Sequence, residues 1–163
     1  MIKILFVCMG NICRSPLAAI EAERAFAAAD LSQWVQIDSA GTINSHSGRP
    51  ADGRSIALAA DVGLDLGAHR ARQVQMSDFD DAELIVAMDQ RNIGDLRARA
   101  PAHSWGRIRL LMSFADAPQG EVPDPYTGGR AEFEHSFDLI REGVAGLTKH
   151  LRHLHNHRST PPE

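Results

Sequence analysis

VCMGNICRSP, residues Val7 to Pro16, passes from an apolar run through a polar loop to a helix start. Both cysteines of the 163-residue chain, Cys8 and Cys13, lie inside it. Upstream, residues 2–7 read IKILFV, a short apolar run of the kind that forms a strand covered on both faces. Downstream, Ser15 is a good N-cap residue and Pro16 suits the first helical turn, so a helix is expected over residues 15–29. Strand, short loop and helix in that order predict the opening βα unit of a parallel sheet.

The rest of the chain extends this pattern. Further strands are expected at residues 35–39, 84–88 and, more weakly patterned, 107–111. Helical patterns cover residues 51–64 and 89–99. The last helix is the most regular: Phe133, Phe137, Ile140, Val144, Leu147, Leu151 and Leu154 alternate spacings of four and three, which keeps them on one face. The fold expected is α/β, a three-layer α/β/α sandwich around a central four-stranded parallel sheet, with the loop at residues 9–14 between first strand and first helix. One domain is assigned to residues 1–155, and the polar, Pro-containing residues 156–163 to a frayed tail.

Composition removes several function classes. A hydrophobic fraction of 44% and a charged fraction of 23% are ordinary for a globular chain. The net charge of −4 does not suit a sequence-independent nucleic-acid binder, and no apolar stretch is long enough to span a bilayer. The N-terminal run ends in Gly, Asn and Arg without a small-residue cleavage pattern, so it does not read as a signal peptide. Two cysteines make no disulfide framework and no zinc spacing, which points to a reducing cytoplasm and to no metal or cofactor. His150, His153, His155 and His157 match no standard metal spacing.

In an open α/β sheet ligands gather beyond the carboxyl ends of the strands, where Cys8 is expected. Met9, Gly10, Asn11, Ile12 and Cys13 can turn their backbone N–H groups inward around an anion, and Gly10 and Asn11 tolerate the left-handed backbone such a nest needs. Those dipoles, the helix N-terminus and the charge of Arg14 favour a thiolate at Cys8, and Ser15 can donate to the sulfur. The same donors suit a phosphate, with Arg14 gripping two oxygens and the sulfur facing phosphorus. Alone, Cys8 reads more commonly as a small core residue at a strand end, and Arg14 in a first turn opposes the helix dipole unless an anion sits there.

C-x5-R-S resembles the signature of protein tyrosine phosphatases, and its form and place here, CMGNICRSP beside the N-terminus, resemble the low-molecular-weight protein tyrosine phosphatase family. The resemblance implies hydrolysis of phosphotyrosine through a phosphocysteine on Cys8, with Arg14 binding the phosphate. It also implies that Asp124, in VPDPYTGG at residues 122–129, is the general acid and base. Without the upstream motif, Asp-Pro would mean only a turn. Asn11, Ser15, Ser39 in DSAGT and His69 in HRARQ match the family's network supporting the loop, His69 as a hydrogen-bonder rather than a base. Asp89 in AMD matches a carboxylate near Arg14.

Ile12 and Tyr126 match the substrate pocket. Thr127 stands where many members have a second tyrosine, and Asn44-Ser45-His46 where many have tryptophan, so His46 is expected to line the cleft. Cys13 either packs or serves Cys8 as a redox partner through a reversible disulfide. The implied partners are a phosphotyrosine protein, such as an autophosphorylating tyrosine kinase, and inorganic phosphate as product; neither nucleic acid nor membrane is implied.

Three rival readings use the same loop. An arsenate reductase relays oxidation to downstream cysteines, and none follows Cys13. Phosphoarginine phosphatases have threonine where this chain has Ile12. A non-catalytic phosphate-binding or redox-sensing module has no need of Asp124.

Overall fold

The N-terminal apolar run forms β1 (Ile2–Cys8) because its alternate side chains enter two different cores. Ile4, Phe6 and Cys8 join one cluster, while Leu5 and Val7 join a second on the opposite face. The computed structural model describes residues 1–116 and 120–159. β2 (Val35–Gly41), β3 (Leu84–Ala87) and β4 (Ile108–Leu110) complete the sheet in the order β2-β1-β3-β4, every pair parallel.

On one face lie α1 (Arg14–Ala28), α2 (Gly53–Asp61) and α5 (Arg130–Ser159), whose Leu17, Phe26, Leu58, Phe133 and Ile140 fill the first cluster. On the other, α3 (Met76–Asp81) and α4 (Gln90–Arg99) supply Phe79, Ile93 and Leu96 to the second. The expected three-layer α/β/α arrangement is therefore found. From β1 the chain leaves through α1 to β2 on one side, then crosses to β3 on the other. The end of β1 is thus the point where strand order reverses, and a crevice opens there.

Local differences from expectation have physical causes. α3 was not anticipated; its six residues are too few for a periodic signal, and a capping box between Gln75 and Asp78 fixes it. β4 is shorter than residues 107–111, because short 3-10 helices end at Arg107 and begin at Leu111.

α5 runs to Ser159, into the segment from residue 156 that the sequence assigns to a tail, while residues 160–163 lie outside the described residues. Contacts with Trp34 accompany this extension: the His155 ring is 4.8 Å away and the Arg158 guanidinium 5.9 Å from the ring centroid. Along α5, Gly146 meets the 3-10 turn Leu111–Phe114 so closely that a Cβ would stand 1.8 Å from the Phe114 carbonyl oxygen. Glu21 on α1, buried, pairs with Arg24 and lies 3.6 Å from Arg141 of α5, so one carboxylate ties the two helices.

Candidate active site

The loop between β1 and α1 is gripped from outside by its carbonyl groups. Thr42 N–H donates to the Cys8 carbonyl (3.0 Å), Ile43 N–H to Met9 (3.1 Å) and Asp52 N–H to Ile12 (2.8 Å). The Ser55 hydroxyl reaches the Cys13 carbonyl at 3.3 Å, and His69 Nε2 the Asn11 carbonyl at 2.7 Å. C=O and N–H of a trans peptide point opposite ways, so carbonyls held outward turn the N–H groups toward the centre of the loop. Asn11 has φ of 57°, the left-handed bend that curls the chain. Gly41 sits against this bend; a Cβ there would lie 2.6 Å from the Met9 carbonyl oxygen.

One hydrogen-bond chain fixes the side chains within. Arg72 N–H donates to Asn11 Oδ1 (3.0 Å), so the Asn11 amide must present Nδ2 to Ser15 Oγ (2.9 Å) and Ser39 Oγ (3.0 Å). The Ser15 hydroxyl, whose oxygen accepts from Asn11, lies 3.0 Å from Cys8 Sγ and 3.5 Å from the Ala40 carbonyl oxygen. Ser15 is therefore not the N-cap. α1 begins one residue earlier at Arg14, its cap position is Cys13, and no side chain caps it. The hydroxyl expected to close the helix end lies against the sulfur instead, leaving the helix N-terminus facing the loop.

His69 donates from Nε2, because a carbonyl oxygen can only accept. Burial holds its pKa below the ordinary histidine value, although Asn11 and Asp38 pull the other way. Cys13 and Cys8 are both buried and free. Burial, with Asp52 and Cys8 nearby, pushes the Cys13 thiol up to about 12.

Arg14 is buried, with 2% of its side chain exposed. Its Nη1 donates to Asp89 Oδ2 (2.6 Å) and to the Val122 carbonyl (2.9 Å). Asp89 can do this because its other oxygen caps α4, accepting from Asn92 N–H at 2.8 Å. Nη2 lies 3.5 Å from Asp124 Oδ2, and Arg14 is among the residues that line the cleft. Asp124 itself is 41% exposed. Val122 N–H bonds the Met88 carbonyl (2.8 Å) and Ser136 Oγ the Pro123 carbonyl (2.8 Å), which pins the segment around Asp124 beside β3 and α5.

A cleft opens above the loop, lined by Cys8, Met9, Gly10, Ile12, Cys13, Arg14, Ile43, His46, Asp124 and Tyr126. His46 and Tyr126 form facing walls with ring centroids 6.3 Å apart. Most of the expected residues line the cleft, whereas Asn11, Ser15, Ser39, His69 and Asp89 brace it from behind. Gly41, Ser55, Arg54 and Arg72 were not anticipated. Arg72 bridges Asp38 and Asp78 (both 2.9 Å) and thereby fixes the backbone N–H that orients Asn11. Only the glycine in DSAGT left a sequence signal; the arginines act through partners remote in sequence. Among the described residues no group of three His, Cys, Asp or Glu is placed to hold a metal.

Fold and site together define a small α/β protein with a cysteine-bearing loop, its carbonyl groups held outward, at the end of its first strand. A model of the low molecular weight phosphotyrosine protein phosphatase family matches residues 3–157, and the chain belongs to that family of hydrolases. A low molecular weight protein-tyrosine-phosphatase of Streptomyces coelicolor is 41% identical over 154 residues, covering 92% of this chain and 93% of the relative. The crystal structure of a protein tyrosine phosphatase from Entamoeba histolytica, with Hepes in its active site, matches with a TM-score of 0.90 at 33% identity. That match covers 95% of this chain and 99% of the other. YfkJ of Bacillus subtilis gives 0.89 at 35% identity, covering 94% of this chain and 96% of YfkJ.

Proposed function

We propose that the protein hydrolyses phosphotyrosine in proteins through a covalent phosphocysteine on Cys8. The observation that carries this reading is the convergence of Cys8, Arg14 and Asp124 on one cleft, with Asp124 3.5 Å from the arginine. The phosphate sits in the loop, held by inward N–H groups and by the guanidinium of Arg14. Cys8 Sγ attacks phosphorus as the bond to the tyrosine oxygen breaks, and protonated Asp124 delivers its proton to that oxygen. Asp124, now a carboxylate, takes a proton from water as the water attacks phosphorus. The S–P bond breaks, phosphate leaves, and the electron pair returns to sulfur, where the Ser15 hydroxyl receives it. Ile12, His46 and Tyr126 hold the aromatic ring of the substrate between apolar and aromatic walls.

Asn11, Ser39, His69 and Asp89 position these groups without touching substrate. Cys13, held as a thiol by burial, packs under the loop in the resting enzyme and is the partner for Cys8 once that sulfur is oxidised. No cofactor or metal enters the scheme. The partner is a phosphotyrosine protein, with an autophosphorylating tyrosine kinase as one candidate, and two free cysteines suit a reducing cytoplasm. Among the described residues no helix is long and apolar enough to cross a membrane.

The test is steady-state hydrolysis of matched phosphotyrosine, phosphoserine and phosphoarginine peptides by wild type, Cys8→Ser and Asp124→Asn. Selective turnover of phosphotyrosine, lost in the first variant and strongly reduced in the second, is the expected result. Turnover mainly of phosphoarginine keeps the loop but replaces the substrate. Phosphate binding without turnover points to a binding module.

A further inference from the structure

A second groove adjoins the active-site cleft. It shares Ile12, His46 and Tyr126 with the cleft and continues over Arg49, Pro50 and Asp52. A peptide whose phosphotyrosine enters the cleft beside Ile12, His46 and Tyr126 can lay a neighbouring residue along this groove. The charges there do not cancel. Asp52 is the one carboxylate in the lining, and it is consumed by Arg54, whose Nε and Nη2 meet its two oxygens at 3.0 and 2.9 Å while the Arg54 N–H adds a third bond at 2.9 Å. That pairing holds the Asp52 carboxyl below its usual range.

Arg49 is exposed, and its guanidinium makes no hydrogen bond or ion pair with a described residue. Its backbone, in contrast, is fixed at both ends: Arg49 N–H donates to the His46 carbonyl (2.9 Å) and Ala71 N–H to the Arg49 carbonyl (2.8 Å). An anchored backbone thus carries an uncommitted cation at the mouth of the cleft, in a chain whose net charge is −4.

We propose that this groove is a specificity subsite for an acidic residue flanking the phosphotyrosine, with Arg49 as the residue that selects it. The inference rests on the phosphatase reading above. A single solvent-exposed ion pair is worth ~0.2–1 kcal/mol, so the expected preference is modest, about 1.4- to fivefold in kcat/KM, and it weakens as salt rises.

The experiment measures kcat/KM for phosphotyrosine peptides whose flanking positions carry Glu, Ala or Lys, on wild type, Arg49→Ala, Arg49→Lys and Arg49→Glu. The ratio of Glu-flanked to Ala-flanked peptide should exceed one in wild type and in Arg49→Lys, fall to about one in Arg49→Ala, and invert in Arg49→Glu. A wild-type ratio of one or below overturns the proposal, as does a ratio that persists in Arg49→Ala and Arg49→Glu. Free phosphotyrosine, which has no flanking residue, separates the two readings. If wild type fails to hydrolyse it and every peptide alike, the phosphatase reading fails; if it hydrolyses all of them without regard to flank, only the subsite does.

Discussion

The two halves of the active site are built in opposite ways. The loop from Cys8 to Ser15 is buried but for Met9 and Gly10, and its carbonyl groups and the Asn11 amide are held by donors from the turn after β2, from α2 and its cap, and from the segment before α3. The segment that carries Asp124 leaves Pro123, Asp124 and Tyr126 exposed, and is held through Val122 and Pro123 to the fold, Asp124 Oδ1 to Tyr126 N–H (3.1 Å), and Arg54 to the carbonyls of Tyr126 (3.1 Å) and Gly128 (3.0 Å). A nucleophile and an oxyanion cradle gain from a fixed geometry, because dipoles already aligned need no reorganisation during reaction. A proton donor must meet water as well as substrate, and exposure serves it.

Substitutions should separate these two designs. The largest effect is expected at Cys8 and Arg14: Cys8→Ser or Arg14→Ala should lower kcat by roughly 10³-fold or more, read by stopped assays of phosphate release. Asp124→Asn should cost less, roughly 10²-fold, and the deficit should shrink with a leaving group that departs without a proton. The same substitution should leave thermal stability within ~0.5 kcal/mol, as befits an exposed side chain.

Gly41→Ala should behave in the reverse manner. Its Cβ would crowd the Met9 carbonyl, so both Tm and kcat should fall although the residue touches no substrate, with a stability loss of ~1–3 kcal/mol by calorimetry.

Smaller effects sharpen the contrast within the cradle. With the Cys13 thiol pushed up to about 12, alkylation near pH 7 followed by peptide mapping should leave Cys13 unmodified in the folded protein. Labelling of Cys13 at a rate matching an unfolded control would show that its burial is not maintained. His69 has the smallest expected effect. Its pKa is lower in the folded state than in the unfolded chain, so the unfolded chain binds its proton first as pH falls. Its stability contribution is complete above the unfolded value of about 6.5 and is lost as pH falls through the folded one. Wild type should lose more stability between pH 7 and pH 5 than His69→Gln does.

The fold and the centre of the site were legible because their signals are local. A run such as residues 2–7 and the heptad-like face of α5 report burial directly, and Cys8, Arg14 and Ser15 sit within one motif. What could not be read depends on distant partners. Ser15 looks like an N-cap until Asn11 and Cys8 are seen to claim its hydroxyl. Arg72 becomes a support for the loop only once Asp38 and Asp78 flank it, and Arg54 joins the Asp124 segment across more than seventy residues of chain. α5 runs on to Ser159 in the same way, with Arg158 reaching Trp34, a partner remote in sequence.

The most direct test of the account is to trap the intermediate. Protein quenched in acid during turnover of a phosphotyrosine peptide is digested and mapped by mass spectrometry. The account predicts one phosphoryl group on Cys8, none on Cys13, greater accumulation in Asp124→Asn when the leaving group departs without a proton, and no phosphocysteine in Cys8→Ser. Sustained turnover with no adduct on Cys8, or an adduct on another residue, would contradict it.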